Sequence, residues 1–193
     1  MKKLFMLAVA AMLATVSVNA QQMFIKPMVG GTLSTVTGDN DGAKMKIGLV
    51  GGAEFGYQIA DPFALTVGAL FSMQGAKADD TNFIKDASTT LTYLNIPVMA
   101  NYYIIPGLAI KAGVQPGFLV SQKTKIKTTL GDVENSDSEG FKKFDFSIPL
   151  GLSYEFSDFV IDARYNLGLT KVFDNGKCKN SVIMLTIGYK IPL

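Results

Sequence analysis

Between Phe141 and Thr170 the chain runs FKKFDFSIPLGLSYEF, then SD, then FVIDARYNLGLT. In the first arm Phe144, Phe146, Ile148, Leu150, Leu152, Tyr154 and Phe156 take every second position, separated by Lys143, Asp145, Ser147, Pro149, Gly151, Ser153 and Glu155. In the second arm Phe159, Ile161, Ala163, Tyr165, Leu167 and Leu169 alternate with Val160, Asp162, Arg164, Asn166 and Gly168. A strand sends successive side chains to opposite faces, so each arm has one apolar face and one polar or small face. Ser157-Asp158 leaves the two-residue spacing of a tight hairpin. Each arm holds its register for at least 12 residues. Globular strands are typically about 5–6 residues, and a tilted strand needs roughly 9–11 to cross a bilayer.

The same period predicts six further strands, at residues 23–34, 45–59, 63–75, 90–103, 108–121 and 180–191. In the second of these Met45, Ile47, Leu49, Gly51, Ala53, Phe55, Tyr57 and Ile59 oppose Lys46, Gly48, Val50, Gly52, Glu54, Gly56 and Gln58. In 108–121 the apolar row from Leu108 to Val120 opposes Ala109, Lys111, Gly113, Gln115, Gly117, Leu119 and Ser121. Connections alternate between long polar stretches and short turns (Ala60-Asp61-Pro62, IIPG, Ser157-Asp158). An even strand count with short turns at one end and long loops at the other is the pattern of an outer-membrane barrel. The predicted fold is all-β: an eight-stranded, antiparallel, up-and-down transmembrane β-barrel.

Alternation alone does not say which face is inside, and a soluble lipocalin-like binding barrel would carry its apolar face inward. The small residues choose. Gly48, Gly52, Gly56, Gly68, Gly113, Gly117, Gly151 and Gly168 all sit on the polar face. Glycine weakens a strand and gains nothing on a water-facing surface, whereas a narrow eight-stranded lumen has room for few large side chains. On the apolar face Phe55, Tyr57, Phe63, Tyr102, Tyr154, Phe156, Phe159 and Tyr189 gather near the short turns, where an interfacial girdle belongs. Pro27, Pro97, Pro116 and Pro149 fall inside predicted strands; because they lack an N–H, some of them are expected to mark bulges at which the register slips.

Composition narrows the class. Hydrophobic residues are 48% and charged residues 18%, an ordered rather than disordered balance. The net charge of +2 comes from Lys2 and Lys3, so the remainder is neutral and no basic excess points to nucleic acid. Those lysines precede an apolar run, Leu4 to Val18, and Val18-Asn19-Ala20 has the small-x-small form of a cleavage site. Residues 1–20 therefore read as a signal peptide rather than a membrane anchor, and 21–193 as the barrel. Cys178 is the sole cysteine, so no internal disulfide can form.

Four stretches carry a family resemblance: Tyr93-Leu94-Asn95-Ile96-Pro97, Ala112-Gly113-Val114-Gln115-Pro116-Gly117, Phe144-Asp145-Phe146 with Gly151, and Ile187-Gly188-Tyr189-Lys190-Ile191. In their order the chain resembles the porin-family, PorT-like outer-membrane β-barrel proteins of Bacteroides-type bacteria, whose architecture is like that of OmpA and OmpX barrels. The resemblance implies a Gram-negative outer-membrane location, with outer-membrane lipid, lipopolysaccharide and the barrel-assembly machinery as partners. Family members usually end in an aromatic residue; this sequence ends Ile191-Pro192-Leu193. The resemblance supplies no shared biochemical activity.

Histidine is absent, which removes a Ser-His-Asp triad, a histidine general base and histidine metal ligands. No catalytic residue, cofactor site, phosphate loop or metal site is predicted. Asp39 and Asp41 lie in TGDNDG without the rest of a calcium loop, and read as a solvated turn. The polar face carries Lys46, Glu54, Lys111, Asp145, Glu155, Asp162, Arg164 and Lys190, and Arg164 is the only arginine. A selectivity or proton path is one use of such a row. A structural ion-pair network of Arg164, Asp162, Asp145, Glu54 and Lys111 that plugs the lumen is favoured, because buried charges must pair and eight strands leave little open space. Two functions stay open: a surface-interaction or envelope barrel acting through its long loops, whose ligand is not legible, and a narrow porin-like channel for small solutes or ions. The loop 122–140, basic in its first half and acidic in its second, is expected to be an exposed, mobile outside loop, with an extended hairpin arm as one form it can take.

Overall fold

The computed structural model describes residues 23–37, 44–78, 84–128, 131–135, 142–171 and 178–193. The predicted signal peptide, Asp39 and Asp41 lie outside these residues. Eleven strands form one sheet: β1 (Met23–Thr37), β2 (Lys44–Ala60), β3 (Phe63–Ala78), β4 (Ile84–Asn95), β5 (Val98–Ile105), β6 (Leu108–Thr128), β7 (Gly131–Asn135), β8 (Phe144–Phe156), β9 (Phe159–Lys171), β10 (Lys179–Tyr189) and β11 (Ile191–Pro192). β4 and β5 are one barrel strand interrupted at Ile96-Pro97. Sequential neighbours pair antiparallel, and β10 returns to β1, so the wall of eight strands closes. β7 folds back on β6 from Thr124↔Asn135 to Thr128↔Gly131, a hairpin arm within the 122–140 stretch; residues 129–130 and 136–140 of that stretch lie outside the described residues.

Closure leaves no sheet edge, so period two can satisfy lipid on one side and a packed lumen on the other. Ile47, Phe156, Leu185 and Phe71 project outward at 76%, 69%, 59% and 55% exposure, while Asp162, Arg164 and Asn166 are at most 2% exposed. The outer surface is therefore the apolar one. Around the short turns the aromatics pack edge-to-face across strands: Phe63 on Tyr102 at 5.7 Å and Phe159 on Tyr189 at 5.2 Å between centroids. Phe118 and Phe144 make a similar pair at 5.6 Å toward the loop end.

The short turns follow from their residues. Asp61-Pro62 is cis. Pro106 fixes one corner of its turn and Gly107 takes φ +86° at the next, a conformation that favours glycine. Each turn is bonded to its neighbour: the Tyr103 amide donates to the Pro62 carbonyl (2.9 Å), the Glu155 amide to Gly107 (2.7 Å) and the Lys190 amide to Asp158 (2.7 Å).

Two expectations are corrected. The register slips at none of the four prolines. Across Pro97, Leu70↔Asn95 and Val67↔Val98 belong to one alignment, because the Pro97 carbonyl still accepts from the Gly68 amide (2.9 Å) and the Ile96 amide donates to the Pro116 carbonyl (2.8 Å). Each proline removes one donor while flanking bonds hold the alignment. The irregularities fall elsewhere, one of them where Thr92↔Ser121 gives way to Tyr93↔Leu119. That bulge also turns Ser121, expected on the lumen face, outward, and brings Gln122 inside.

Candidate functional site

The lumen collects buried charge from several strands, and its contents are layered. Asp162 lies three residues past the start of β9, Lys111 three past the start of β6 and Lys26 three past the start of β1, so they reach similar depths above the short turns. β2 brings Glu54 in from the opposite direction, and Lys26↔Glu54 are cross-strand partners. Arg164 pairs in register with Gly151 on β8. A Cβ at residue 151 would stand 3.0 Å from Arg164 Cγ, so the glycine makes room for the side chain's stem.

In this layer Arg164 Nε donates to Asp162 Oδ1 (2.5 Å) and Nη2 to Asp162 Oδ2 (2.8 Å). Nη2 also lies 2.5 Å from Glu54 Oε1. Lys26 Nζ is 2.9 Å from Glu54 Oε2, and Lys111 Nζ donates to Asp162 Oδ2 and stands 3.7 Å from Glu54. Three cations and two carboxylates thus share one nearly water-free cluster, with side-chain exposures of 4% or less. The guanidinium's fixed fork spans both carboxylates at once.

Arg164, Asp162, Glu54 and Lys111 are brought together; Asp145 is not. Its carboxylate faces the lumen nearer the loops, where it accepts from Thr170 Oγ1 (2.5 Å) and Asn180 Nδ2 (3.3 Å). Face parity gave its side of the wall but not its depth. Lys26 was missed, although the alternation Phe24, Lys26, Met28 against Ile25, Pro27, Val29 marks it as inward.

Other layers lie above and below. Toward the short turns Lys190 Nζ bonds Glu155 Oε2 (2.8 Å), Tyr103 Oη donates to Glu155 Oε1 (2.5 Å), and the same ammonium sits 4.6 Å from the centre of the Phe24 ring. Phe24 is 5% exposed and packs against Gly56. Above the charged layer Met28, Val50, Leu70 and Met184 form a buried apolar cluster. Nearer the loops Val36, Leu91, Tyr93 and Cys178 form another. Amides and hydroxyls fill between: Gln115 Nε2 to Ser147 Oγ (3.3 Å), Gln74 Nε2 to Ser72 Oγ (3.2 Å) and Ser34 Oγ to the Gly75 carbonyl (2.9 Å).

A closed wall of eight antiparallel strands, apolar toward its surroundings and charged within, defines a membrane-spanning β-barrel. A model of the outer membrane protein β-barrel domain family matches residues 14–174. The chain belongs to that family, and it is a protein of the Gram-negative outer membrane. Among solved structures it is similar to Ail, the attachment invasion locus protein of Yersinia pestis, with 16% identity over 88% of this chain and 99% of that one, at a TM-score of 0.52. It is also similar to Neisserial surface protein A, NspA, with 12% identity over 89% and 97% of the two chains and a TM-score of 0.50. These likenesses concern the fold. No curated protein sequence matches.

Proposed function

We propose that this chain is a non-enzymatic, sealed outer-membrane barrel that acts through its loop-end surface, in envelope structure or surface interaction, rather than by passing solute. The stacking of the lumen carries this reading. A solute entering from the short turns meets the Phe24, Tyr103, Glu155 and Lys190 cap, then the ion-pair cluster, then the Met28, Val50, Leu70 and Met184 layer. Ions do not cross a buried apolar layer cheaply, since removing a charge from water costs several kcal/mol or more. By the rule for this architecture the short turns face the periplasm and the long loops face outward. The barrel-assembly machinery is the expected route into the membrane.

The test is conductance of the refolded full chain in planar bilayers, with insertion checked by its heat-dependent gel migration. No stepwise current is expected from the parent protein. Reproducible unitary steps from protein shown to be folded would replace this reading with the narrow channel.

A further inference from the structure

We propose that Asp145, with the carboxamides of Asn95, Gln115 and Asn166, forms a site for a small alkali-metal cation in the loop-side half of the lumen. The site is separate from the ion-pair cluster, and reaching it requires no passage through the apolar layer.

Asp145 is 7% exposed, and among the described residues no cation lies within ion-pair distance of its carboxylate. Glu54, Asp162 and Glu155 each lie against an ammonium or a guanidinium. Asp145 has only neutral donors: Thr170 Oγ1 to Oδ1 (2.5 Å) and Asn180 Nδ2 to Oδ2 (3.3 Å). A carboxylate offers about four lone-pair positions, so both oxygens keep capacity. A buried charge without a counter-charge costs several kcal/mol.

The neighbouring amides supply a second, independent observation. Gln115 Nε2 donates to Ser147 Oγ (3.3 Å), which turns Oε1 of the same amide away from Ser147, and that oxygen is buried with no hydrogen-bond partner. Asn166 is 2% exposed, and neither of its amide atoms has a partner. A Cβ at residue 117 would stand 2.5 Å from Asn95 Oδ1 and 3.7 Å from Asp145 Cβ, so Gly117 lets the Asn95 oxygen lie beside Asp145. Register brings these groups to one region of the lumen face. Gly117 pairs with Asn95 on β4 and with Asp145 on β8, Gln115 pairs with Ser147, and Asn166 pairs with Pro149, two residues beyond Ser147.

One kind of guest answers both observations. A water molecule donates hydrogens to the amide oxygens but brings no charge to Asp145. A hard cation takes its ligands from carboxylate and amide oxygens together. One carboxylate among neutral amide oxygens balances a single positive charge, which selects a monovalent ion over calcium. Asp145 lies nearest the loops, so entry is from that end. Leu70, the cross-strand partner of Asn95, belongs to the apolar layer that stops the ion from going further.

The experiment is urea unfolding of the refolded full chain in micelles, followed by far-UV circular dichroism, with sodium chloride exchanged for choline chloride at constant ionic strength. Once sodium exceeds its dissociation constant, each further tenfold increase adds about 1.4 kcal/mol, or about 0.5–1.4 M in the urea midpoint. The variants are Asp145→Asn and Asn166→Leu, with Leu167→Ile on the lipid face as control. The parent and the control should gain stability with sodium, and the two site variants should not. Asn166→Leu removes both unpartnered amide atoms, so in choline chloride it should be at least as stable as the parent; it carries the test if Asp145→Asn does not refold. Sodium NMR line broadening by the folded parent, absent with Asn166→Leu, reads the same binding without unfolding. Equal stability of the parent in sodium and choline overturns the proposal and leaves water beside Asp145. An equal sodium response in both site variants overturns it by placing the ion elsewhere. Stabilisation by calcium chloride but not by sodium chloride, lost in Asp145→Asn, overturns it in favour of a divalent ion. None of these outcomes bears on conductance, so failure of the site leaves the sealed barrel standing.

Discussion

Glu54→Gln is the change that most directly tests whether the lumen cluster holds the barrel together. The substitution keeps size and shape and removes one negative charge. In the parent the cluster contains Lys26, Lys111 and Arg164 against Glu54 and Asp162, one cation in excess. Glu54 is fully buried and lies 2.5 Å from Arg164, 2.9 Å from Lys26 and 3.7 Å from Lys111. After the change three cations face Asp162 alone. Removing one member of a buried ionic network costs about 3–5 kcal/mol. Arg164→Met behaves differently: it leaves two cations with two carboxylates, and the expected cost is about 1–3 kcal/mol from lost hydrogen bonds and packing. The double variant restores the parent's single excess cation, so its loss should fall short of the sum by about 1–3 kcal/mol.

The assay is urea unfolding of the refolded barrel in micelles. The chain has no tryptophan, so far-UV circular dichroism and gel migration are the probes. At roughly 1–3 kcal/mol per molar urea, Glu54→Gln should lower the midpoint by about 1–5 M. Leu167→Ile on the lipid face should hardly move it. A Glu54→Gln protein as stable as the parent, or one that loses less than Arg164→Met, would refute the charge argument and with it the structural role of the cluster.

Gly151→Val should also destabilise, by about 1–3 kcal/mol in the same assay, because its added carbons meet the Ala163 carbonyl at 2.5 Å and the Arg164 stem at 3.0 Å. Ser157 holds φ +52° in the β8–β9 turn, so Ser157→Gly should raise the midpoint slightly, by about 0.5–1 kcal/mol; an unchanged or lower midpoint counts against strain there. Trypsin added to intact cells should cut at exposed Lys142 or Lys143 and spare Lys190; mass spectrometry showing cleavage at Lys190 alone would mean the barrel is inverted.

Closed-wall architecture and facing were legible because lipid and lumen impose opposite demands on alternate residues of every strand. The reach of the strands was less so. β3 runs to Ala78, β4 starts at Ile84 and β6 extends to Thr128, past the point where an apolar row marks a strand. Beyond the belt both faces are wet, and alternation in polarity disappears while backbone pairing continues. The same limit explains Asp145. Period two assigns a side chain to a face but not to a height. Counting from the short turns separates it: Asp162 and Lys111 are three residues from theirs, and Asp145 is eleven from Phe156. The prolines misled for another reason. A missing donor breaks one rung, but slipping the register would send every following side chain of that strand to the wrong face, which costs far more.

That constraint also bears on where the protein can act. An apolar exterior is fixed by lipid, and any polar residue introduced there meets hydrocarbon. An interior of eight strands is nearly full once Phe24, Met28, Tyr93, Leu70 and Met184 are in place, and the charges of its central cluster are committed to one another. Widening it enough for a hydrated ion would separate Arg164 from Glu54 and Asp162 as well as the apolar layer, so the barrier to opening includes the cost of unpairing buried charges. The surfaces left free to vary without loss of the fold are the loops and the rim that carries them. The proposed surface function at the loop end rests on this contrast between a packed lumen and a rim free to vary.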